Sequence, residues 1–292
     1  MTDVYALQLQ PGDVVGGYTL ESRLGSGAMG SVWRAVDGGG NAYAMKILRA
    51  SLSDSDDGNP DSPEYRAQMV ARERLRREAV AMRKIRNSGV CQIVDMEIDD
   101  SLAFLVTELI EGENLREDVR HNGKYVGDDL ERLSSKLIDA VHAVHEAGIV
   151  HRDIKTSNVL ITWQRLPTLA DFGIAVTAYD HSSTGYSLPW APPETLRTGG
   201  AGGEAADIYS LGAVLYASLV GTSPFEYGYH PKTAKELARL IMTHPLPTIQ
   251  RNDVPTVVHE TLAQAMAPNA DDRYPSALAF ARALQQAQFD LY

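Results

Sequence analysis

Between His151 and Gly173 the chain gathers side chains that suit phosphoryl transfer. Lys155 follows Asp153 by two positions and Asn158 follows it by five; Asp171 arrives after the apolar run Val159-Leu160-Ile161 and a turn. A carboxylate can accept the proton of an attacking hydroxyl, and a lysine can offset phosphate charge. A carboxamide and a second carboxylate can hold a hard metal ion through oxygen. The apolar run is short enough to be a buried strand joining the two halves of this cluster.

The elements before it must supply the rest of such a site. Gly25-Ser26-Gly27-Ala28-Met29-Gly30 fits G-x-G-x-x-G, a pattern that also occurs in dinucleotide folds, where it opens a helix. Here Ser31-Val32-Trp33-Arg34-Ala35-Val36 is β-branched and aromatic and ends at Asp37-Gly38-Gly39-Gly40. The glycines therefore belong to a hairpin, where bare backbone can close over phosphates. Ala42 to Leu48 reads as the next strand, with Tyr43, Met45 and Ile47 on one face and Ala44, Lys46 and Leu48 on the other. Both faces are largely apolar, so Lys46 calls for a buried or ligand-side partner. Residues 51–61 read as an acidic loop, and Ser62-Pro63-Glu64 opens a helix running to about Arg86. On that helix Arg72, Arg74, Arg76 and Arg77 form a solvated face, while Glu78 lies on the side toward the sheet and is the natural ion-pair partner of Lys46.

Strands are expected over 93–98 and 102–108, and then Glu111-Gly112-Glu113-Asn114 breaks the pattern. Leu130 to Ala147 has apolar residues at 3–4 spacing and stops at Gly148, giving a helix that leads into Ile149-Val150-His151. Further helices are expected over 206–220, 233–242, 256–266 and 276–286.

Composition narrows the class. Of 292 residues, 44% are apolar and 22% charged, the proportions of an ordinary globular protein. The net charge of −11 disfavours a general nucleic-acid binder. Cys91 is the only cysteine, so an intrachain disulfide is excluded, and its apolar neighbours suggest a packed small side chain. Leu211 to Val220, the longest apolar helical stretch, falls short of the ~20 residues a membrane span needs. The first residues carry no signal-peptide pattern, so the chain reads as cytoplasmic, or as the cytosolic part of something longer.

Taken in order, Gly25–Gly30 with Val32, Ala44-Met45-Lys46, Glu78, His151-Arg152-Asp153, Asn158, Asp171-Phe172-Gly173, Pro193-Glu194, Asp207 and Arg273 resemble the protein-kinase superfamily. Within it they are most similar to the eukaryotic-like Ser/Thr kinases of bacteria, over about residues 18–287. The resemblance implies an α+β, two-lobed fold: a lead-in over 1–17, an N-lobe of antiparallel sheet with one main helix over 18–110, and a mainly helical C-lobe over 111–292. It implies transfer of the γ-phosphoryl group of ATP to protein Ser or Thr hydroxyls, in bacterial-type signalling. Asp153 would accept the hydroxyl proton, Lys155 would stabilise the transferring group, and Lys46, placed by Glu78, would hold the α- and β-phosphates. Asn158 and Asp171 would bind Mg²⁺, with Mn²⁺ as the alternative. Gly25, Ser26, Gly27, Ala28, Met29 and Gly30 would cover the phosphates. Val32, Ala44 and Leu160 would sandwich the adenine, with Glu108 and Ile110 backbone at its edge and Thr107 at the rear.

Lys155 points to serine or threonine rather than tyrosine, because tyrosine kinases usually lack that lysine. Ser187, seven residues before Glu194, stands where the family carries a hydroxyl that bonds the Asp–Lys pair. Arg152 accompanies activation by phosphorylation in this family, with Thr177, Ser182, Ser183, Thr184 and Ser187 as the candidate acceptors and Ser183 and Thr184 the most central. The implied partners are Ser/Thr-bearing proteins, the chain itself, and a homodimer through the N-lobe. Thr156, Pro192 and Trp190 depart from the residues common at their positions, which bears on peptide selectivity rather than catalysis.

Overall fold

The computed structural model describes residues 9–27, 30–48, 73, 76–77, 79–98, 103–171, 187–199 and 202–289, and these form two compact units. One takes in the residues up to Lys84 together with Cys91–Ile110; the other takes in Ile85–Val90 and the described residues from Glu111 onward.

The first unit is a six-stranded antiparallel sheet: β1 (Val14–Val15), β2 (Tyr18–Gly27), β3 (Gly30–Val36), β4 (Ala42–Leu48), β5 (Ile93–Ile98) and β6 (Ala103–Glu108). Its spatial order is β1-β2-β3-β4-β6-β5. Alternation decides which face is buried: Leu20, Trp33, Ala35, Met45, Ile47, Phe104 and Val106 form the core, with Tyr18 and Tyr43 packed against it. The β3–β4 turn is held by Asp37, whose carboxylate accepts from the backbone N–H groups of Gly39 and Asn41 and from the Asn41 carboxamide. Those bonds hold its carboxyl below the usual value, the Asn41 side chain most of all. β1 was not expected from the sequence. Two residues show no period, and the strand exists because its Val14 and Val15 pair with Thr19 and Tyr18 of β2.

Most of the helix expected after Ser62 lies outside the described residues, Glu78 included. Its described end over 79–82 is followed by a turn at 83–84, short of Arg86. Of the basic run, Arg77 is exposed beside Glu73, and Arg76 donates to the Ile98 carbonyl at the end of β5.

The second unit begins with β7 (Gly112–Asn114), α1 (Leu115–Asn122), α2 (Gly127–Glu146), β8 (Val159–Thr162) and β9 (Pro167–Leu169). β7, β8 and β9 make a small antiparallel sheet. It continues with α3 (Pro193–Thr198), α4 (Glu204–Val220), α5 (Pro224–Tyr229), α6 (Ala234–Thr243), α7 (Thr256–Ala265) and α8 (Ala277–Phe289). In α2 the buried Leu130, Leu133, Leu137, Ile138, Val141 and Val144 follow the expected stripe. The helix starts three residues earlier than apolar spacing indicates, because Asp128 and Asp129 suit its first turn electrostatically without being apolar. α4 is buried almost all round, from Ala206 to Val220, and so forms the centre of this unit. No helix among the described residues is long and apolar enough to cross a membrane.

β7 and α1 are short and escaped the sequence reading. Asn114 caps α1 by accepting from Glu117 N–H at 3.1 Å, and it also pairs with Leu160 in β8. Gly112 permits this pairing: a Cβ there would lie 2.0 Å from the Ile161 carbonyl oxygen, which is backbone and cannot swing aside. We expect Gly112→Ala to destabilise the chain by about 1–3 kcal/mol through overpacking. Gly38→Ala, with open space around it, should be nearly neutral. Calorimetric unfolding of both variants checks this, and equal melting temperatures would refute the close-approach argument.

Candidate active site

The segment His151–Asn158 is fixed from beneath by one carboxylate. Asp207, 1% exposed near the start of α4, accepts from His151 N–H (2.7 Å), Arg152 N–H (2.8 Å) and His145 Nε2 (2.9 Å). Ile149 and Ile154, both buried, pin the loop on either side. Arg152 adopts a left-handed conformation, φ 67°, which these backbone bonds sustain. The sequence offers Asp207 as one of the ordered motif residues, and it does not single out His145. A histidine on the buried stripe of α2 was the available signal.

His151 is fully buried and serves the loop's geometry. Its Nδ1 accepts from Asp153 N–H (3.3 Å), so Nε2 carries the proton and donates to the Ala170 carbonyl (3.2 Å). Burial pushes this imidazole below its ordinary value; the charges of Asp207, Asp153 and Asp171 and the Ala170 carbonyl oppose that only in part. A base whose folded-state value is lowered keeps its full contribution above the unfolded value, about 6.5, and loses it as pH falls below that, because the unfolded chain then binds the extra proton. Urea unfolding should therefore show lower stability at about pH 5.5 than at about pH 7.5. The difference should shrink in His151→Phe, and an unchanged difference would exclude this imidazole as its source.

Three donors converge on the Asp153 carboxylate. Ser187 Oγ donates to Oδ1 (2.9 Å), while Lys155 Nζ (2.7 Å) and Asn158 Nδ2 (3.0 Å) donate to Oδ2. Lys155 also donates to Ser187 Oγ (2.9 Å), closing a triangle of carboxylate, ammonium and hydroxyl. Asp153 and Lys155 side chains are 16% and 24% exposed, so the group is partly shielded and still reachable. The carboxylate is held oriented, with Oδ1 less heavily engaged than Oδ2.

Asn158 sits at the end of the 3-10 turn Thr156–Asn158 and is buried. Its carboxamide nitrogen also donates to the backbone oxygens of Asp153 (2.9 Å) and Asp171 (3.3 Å). With the nitrogen committed three times, the ligand atom this side chain has to offer is its oxygen. Asp171, exposed and left-handed at φ 58°, adds a carboxylate. An oxygen-only pair of this kind fits a hard divalent cation.

In the first unit, Val32, Ala44, Lys46 and Thr107 of the expected nucleotide residues fall on one face of the sheet. Val32 pairs with Lys46, Lys46 with Leu105, and Ala44 with Thr107, so all five lie opposite the Met45–Val106 core face. Leu105 joins that row without having been singled out in the sequence. Gly25, Ser26 and Gly27 pair with Val32, Ser31 and Gly30, which makes the glycine stretch a hairpin; Ala28 and Met29 lie outside the described residues. Thr107 Oγ1 donates to the Ala44 carbonyl (3.3 Å). Glu108 N–H is taken by the Gln92 carbonyl, and Cys91 Sγ lies 3.6 Å from the Glu108 carbonyl. Ile110 follows β6, and Leu160 lies half-buried in β8 of the second unit. Glu78, Thr177, Ser182, Ser183 and Thr184 lie outside the described residues.

Beyond the His151–Asn158 loop, Glu194 and Arg273 form a two-pronged pair, with Nη1 to Oε1 and Nη2 to Oε2 each at 2.7 Å. Arg273 also donates to the carbonyls of Ala205 and Ala267 and lies 5.0 Å from the Tyr209 ring centre. The segment before it is seated by Leu188, Trp190 and Leu196, which pack on a core of Tyr209, Phe225, Leu237, Leu240 and Met266.

Comparison with known proteins agrees with this assembly. Residues 18–283 match the protein kinase domain family. The chain is 33% identical, over 74% of its length, to the probable serine/threonine-protein kinase PkwA of Thermomonospora curvata, of which it covers 28%. It is 32% identical over 92% of its length to the serine/threonine-protein kinase PknL of Mycobacterium bovis, covering 65% of that protein. It is 30% identical over 91% to the probable serine/threonine-protein kinase PknB of Bifidobacterium longum, covering 39%. The chain thus spans less than two thirds of each of these relatives. The solved structure of PpkA-294 in its apo form superposes with a TM-score of 0.72, covering 94% of this chain and 99% of that one at 23% identity, which speaks to the fold. The architecture is the α+β protein-kinase fold, and the chain belongs to the protein kinase domain family.

Proposed function

We propose that this chain is an ATP-dependent protein kinase acting on serine and threonine hydroxyls, with Mg²⁺ as its metal. The observation that carries the reading is the Asp153 carboxylate, oriented by Lys155, Asn158 and Ser187 and less heavily engaged at Oδ1. A hydroxyl donating to Oδ1 has its proton taken as its oxygen bonds to the γ-phosphorus of ATP. The bond from that phosphorus to the bridging oxygen breaks, and ADP departs. Lys155, already beside Asp153, steadies the charge of the phosphoryl group as it moves. Lys46 supplies a cation to the remaining phosphates from the sheet face it shares with Val32 and Ala44, and the Gly25–Gly30 hairpin offers backbone N–H groups without side-chain obstruction. Mg²⁺, held through the oxygens of Asn158 and Asp171, would neutralise phosphate charge. The restriction to serine and threonine rests on Lys155 and on the relatives, which are named as serine/threonine-protein kinases. Regulation by phosphorylation between Asp171 and Glu194 belongs to the same reading.

The test is incubation of purified chain with labelled ATP, Mg²⁺ and a generic protein acceptor, followed by phosphoamino-acid analysis. Phosphoserine and phosphothreonine are expected. Label found only on tyrosine, or no transfer at all, would overturn the proposal.

A further inference from the structure

Ser187 is placed as an acceptor as well as a brace. Its Oγ donates to Asp153 Oδ1 and accepts from Lys155 Nζ, each at 2.9 Å. Those are the two contacts that general-base phosphoryl transfer asks of an acceptor hydroxyl: its proton on the base, and a cation beside the oxygen that will carry phosphate. Asp153 Oδ2 already takes Lys155 and Asn158, so Oδ1 is the less committed oxygen, and the hydroxyl resting on it belongs to the chain itself.

The hydroxyl is not committed to the turn that follows it. Ser187 precedes the 3-10 turn Leu188–Trp190 as its N-cap residue, yet its hydroxyl makes no capping bond there; only its carbonyl serves the turn, accepting from Trp190 N–H at 2.8 Å. The residue is half-buried rather than sealed. Being serine, it has no β-methyl to lock χ1, so Oγ can swing without moving the backbone.

Resting on the kinase reading above, we propose that Ser187 is phosphorylated in cis by its own active site, and that this phosphate switches the site off. Asp153 takes the Oγ proton, Oγ bonds to the γ-phosphorus of ATP, the bond to the β,γ-bridging oxygen breaks, and ADP leaves with that electron pair. The proton on Asp153 then passes to solvent. Ser187 afterwards carries a charge of about −1.5 to −2 at neutral pH, immediately beside the Asp153 carboxylate. Lys155 is drawn to the phosphate and away from Asp153, the two anions repel, and the hydroxyl that oriented Oδ1 is gone. The sense is opposite to that of an activating mark elsewhere on the segment: accumulation of phosphate on Ser187 ends turnover.

The experiment uses the wild-type chain with Mg²⁺-ATP, peptide mapping by mass spectrometry over time, and parallel transfer to a generic protein acceptor. The peptide containing Ser187 should gain about 80 Da, the mass of one phosphoryl group, at a first-order rate independent of chain concentration. Acceptor phosphorylation should fall in proportion to Ser187 occupancy, and treatment with a phosphatase should restore it. An Asp153→Asn chain, tagged to differ in mass and mixed with wild type, should remain unmarked at Ser187. If wild type phosphorylates the acceptor while Ser187 stays unmodified, this inference is wrong and the kinase reading stands. Marking of the Asp153→Asn chain, or a rate that rises with concentration, refutes transfer in cis. Absence of phosphate on every protein in the mixture refutes the kinase reading itself.

Discussion

On the proposed function, Asp153→Asn should lower the rate of phosphoryl transfer to an acceptor protein by about 10²–10⁴, equivalent to about 3–5 kcal/mol of barrier. Two losses combine in that figure. The carboxamide cannot accept a proton at neutral pH, so the hydroxyl must attack without a base. It also disrupts its own surroundings. Oδ1 and Oδ2 accept from Ser187, Lys155 and Asn158, and an amide nitrogen on either side would face a donor. One oxygen cannot serve all three without rotation of the side chain. The backbone of the loop should survive, because it is tied to Asp207 through His151 and Arg152 and not through the Asp153 carboxylate. Thermal unfolding of the variant should therefore stay close to wild type while labelled-phosphate transfer collapses. Wild type and variant turning over equally would remove Asp153 as the base.

Arg273→Met should destabilise the chain by about 3–5 kcal/mol, because it breaks a buried ion pair from one side only. The Arg273 side chain is 0% exposed and that of Glu194 32% exposed. Four hydrogen bonds leave together: two to Glu194 and one each to the carbonyls of Ala205 and Ala267. The guanidinium also leaves the Tyr209 ring. Water can reach part of Glu194, which places the expected loss toward the lower end of that range. Arg273→Lys should recover little, since one ammonium cannot reproduce a planar fork that bonds two carboxylate oxygens and two carbonyls. Urea denaturation monitored by circular dichroism measures both variants. A change within about 0.5 kcal/mol of wild type would mean the pair is structurally dispensable.

The consequence of that pair for function is local. Glu194 lies in α3, close behind the segment Ser187–Trp190 that brings a hydroxyl to Asp153. Loosening Arg273 should therefore weaken the Ser187 contact as well as the fold.

How much of this was legible beforehand depended on distance along the chain. In β4, strict alternation is enough to put Met45 and Ile47 into the core and Lys46 on the other face, and the structure has them so. In α2, Leu133, Leu137, Val141 and Val144 recur at helical spacing and are buried together. Asp153, Lys155 and Asn158 are near neighbours in sequence, so a single loop was bound to gather them. β1, β7 and α1 were missed because a strand or helix of a few residues has no period to display; each exists only through its pairing or cap. His145 was missed for another reason: it lies on a legible helical stripe, but its partner Asp207 is 62 residues away.

Residue order alone set out the candidate groups: a carboxylate able to act as a base, cations, oxygen ligands for a metal and a glycine hairpin, with the preference of Lys155 and Ser187 for hydroxyl acceptors implied by the resemblance. It determined the core faces too, because burial follows a period that local backbone geometry imposes. Tertiary structure decided which oxygen of Asp153 each donor occupies, that the Asn158 nitrogen is committed so its oxygen is presented, and that Ser187 rests on the base itself. Those contacts join residues as much as 34 positions apart, and a hydrogen bond of 2.9 Å depends on the packing of every element between them. A sequence can place a hydroxyl near a carboxylate; only the packed chain aims it.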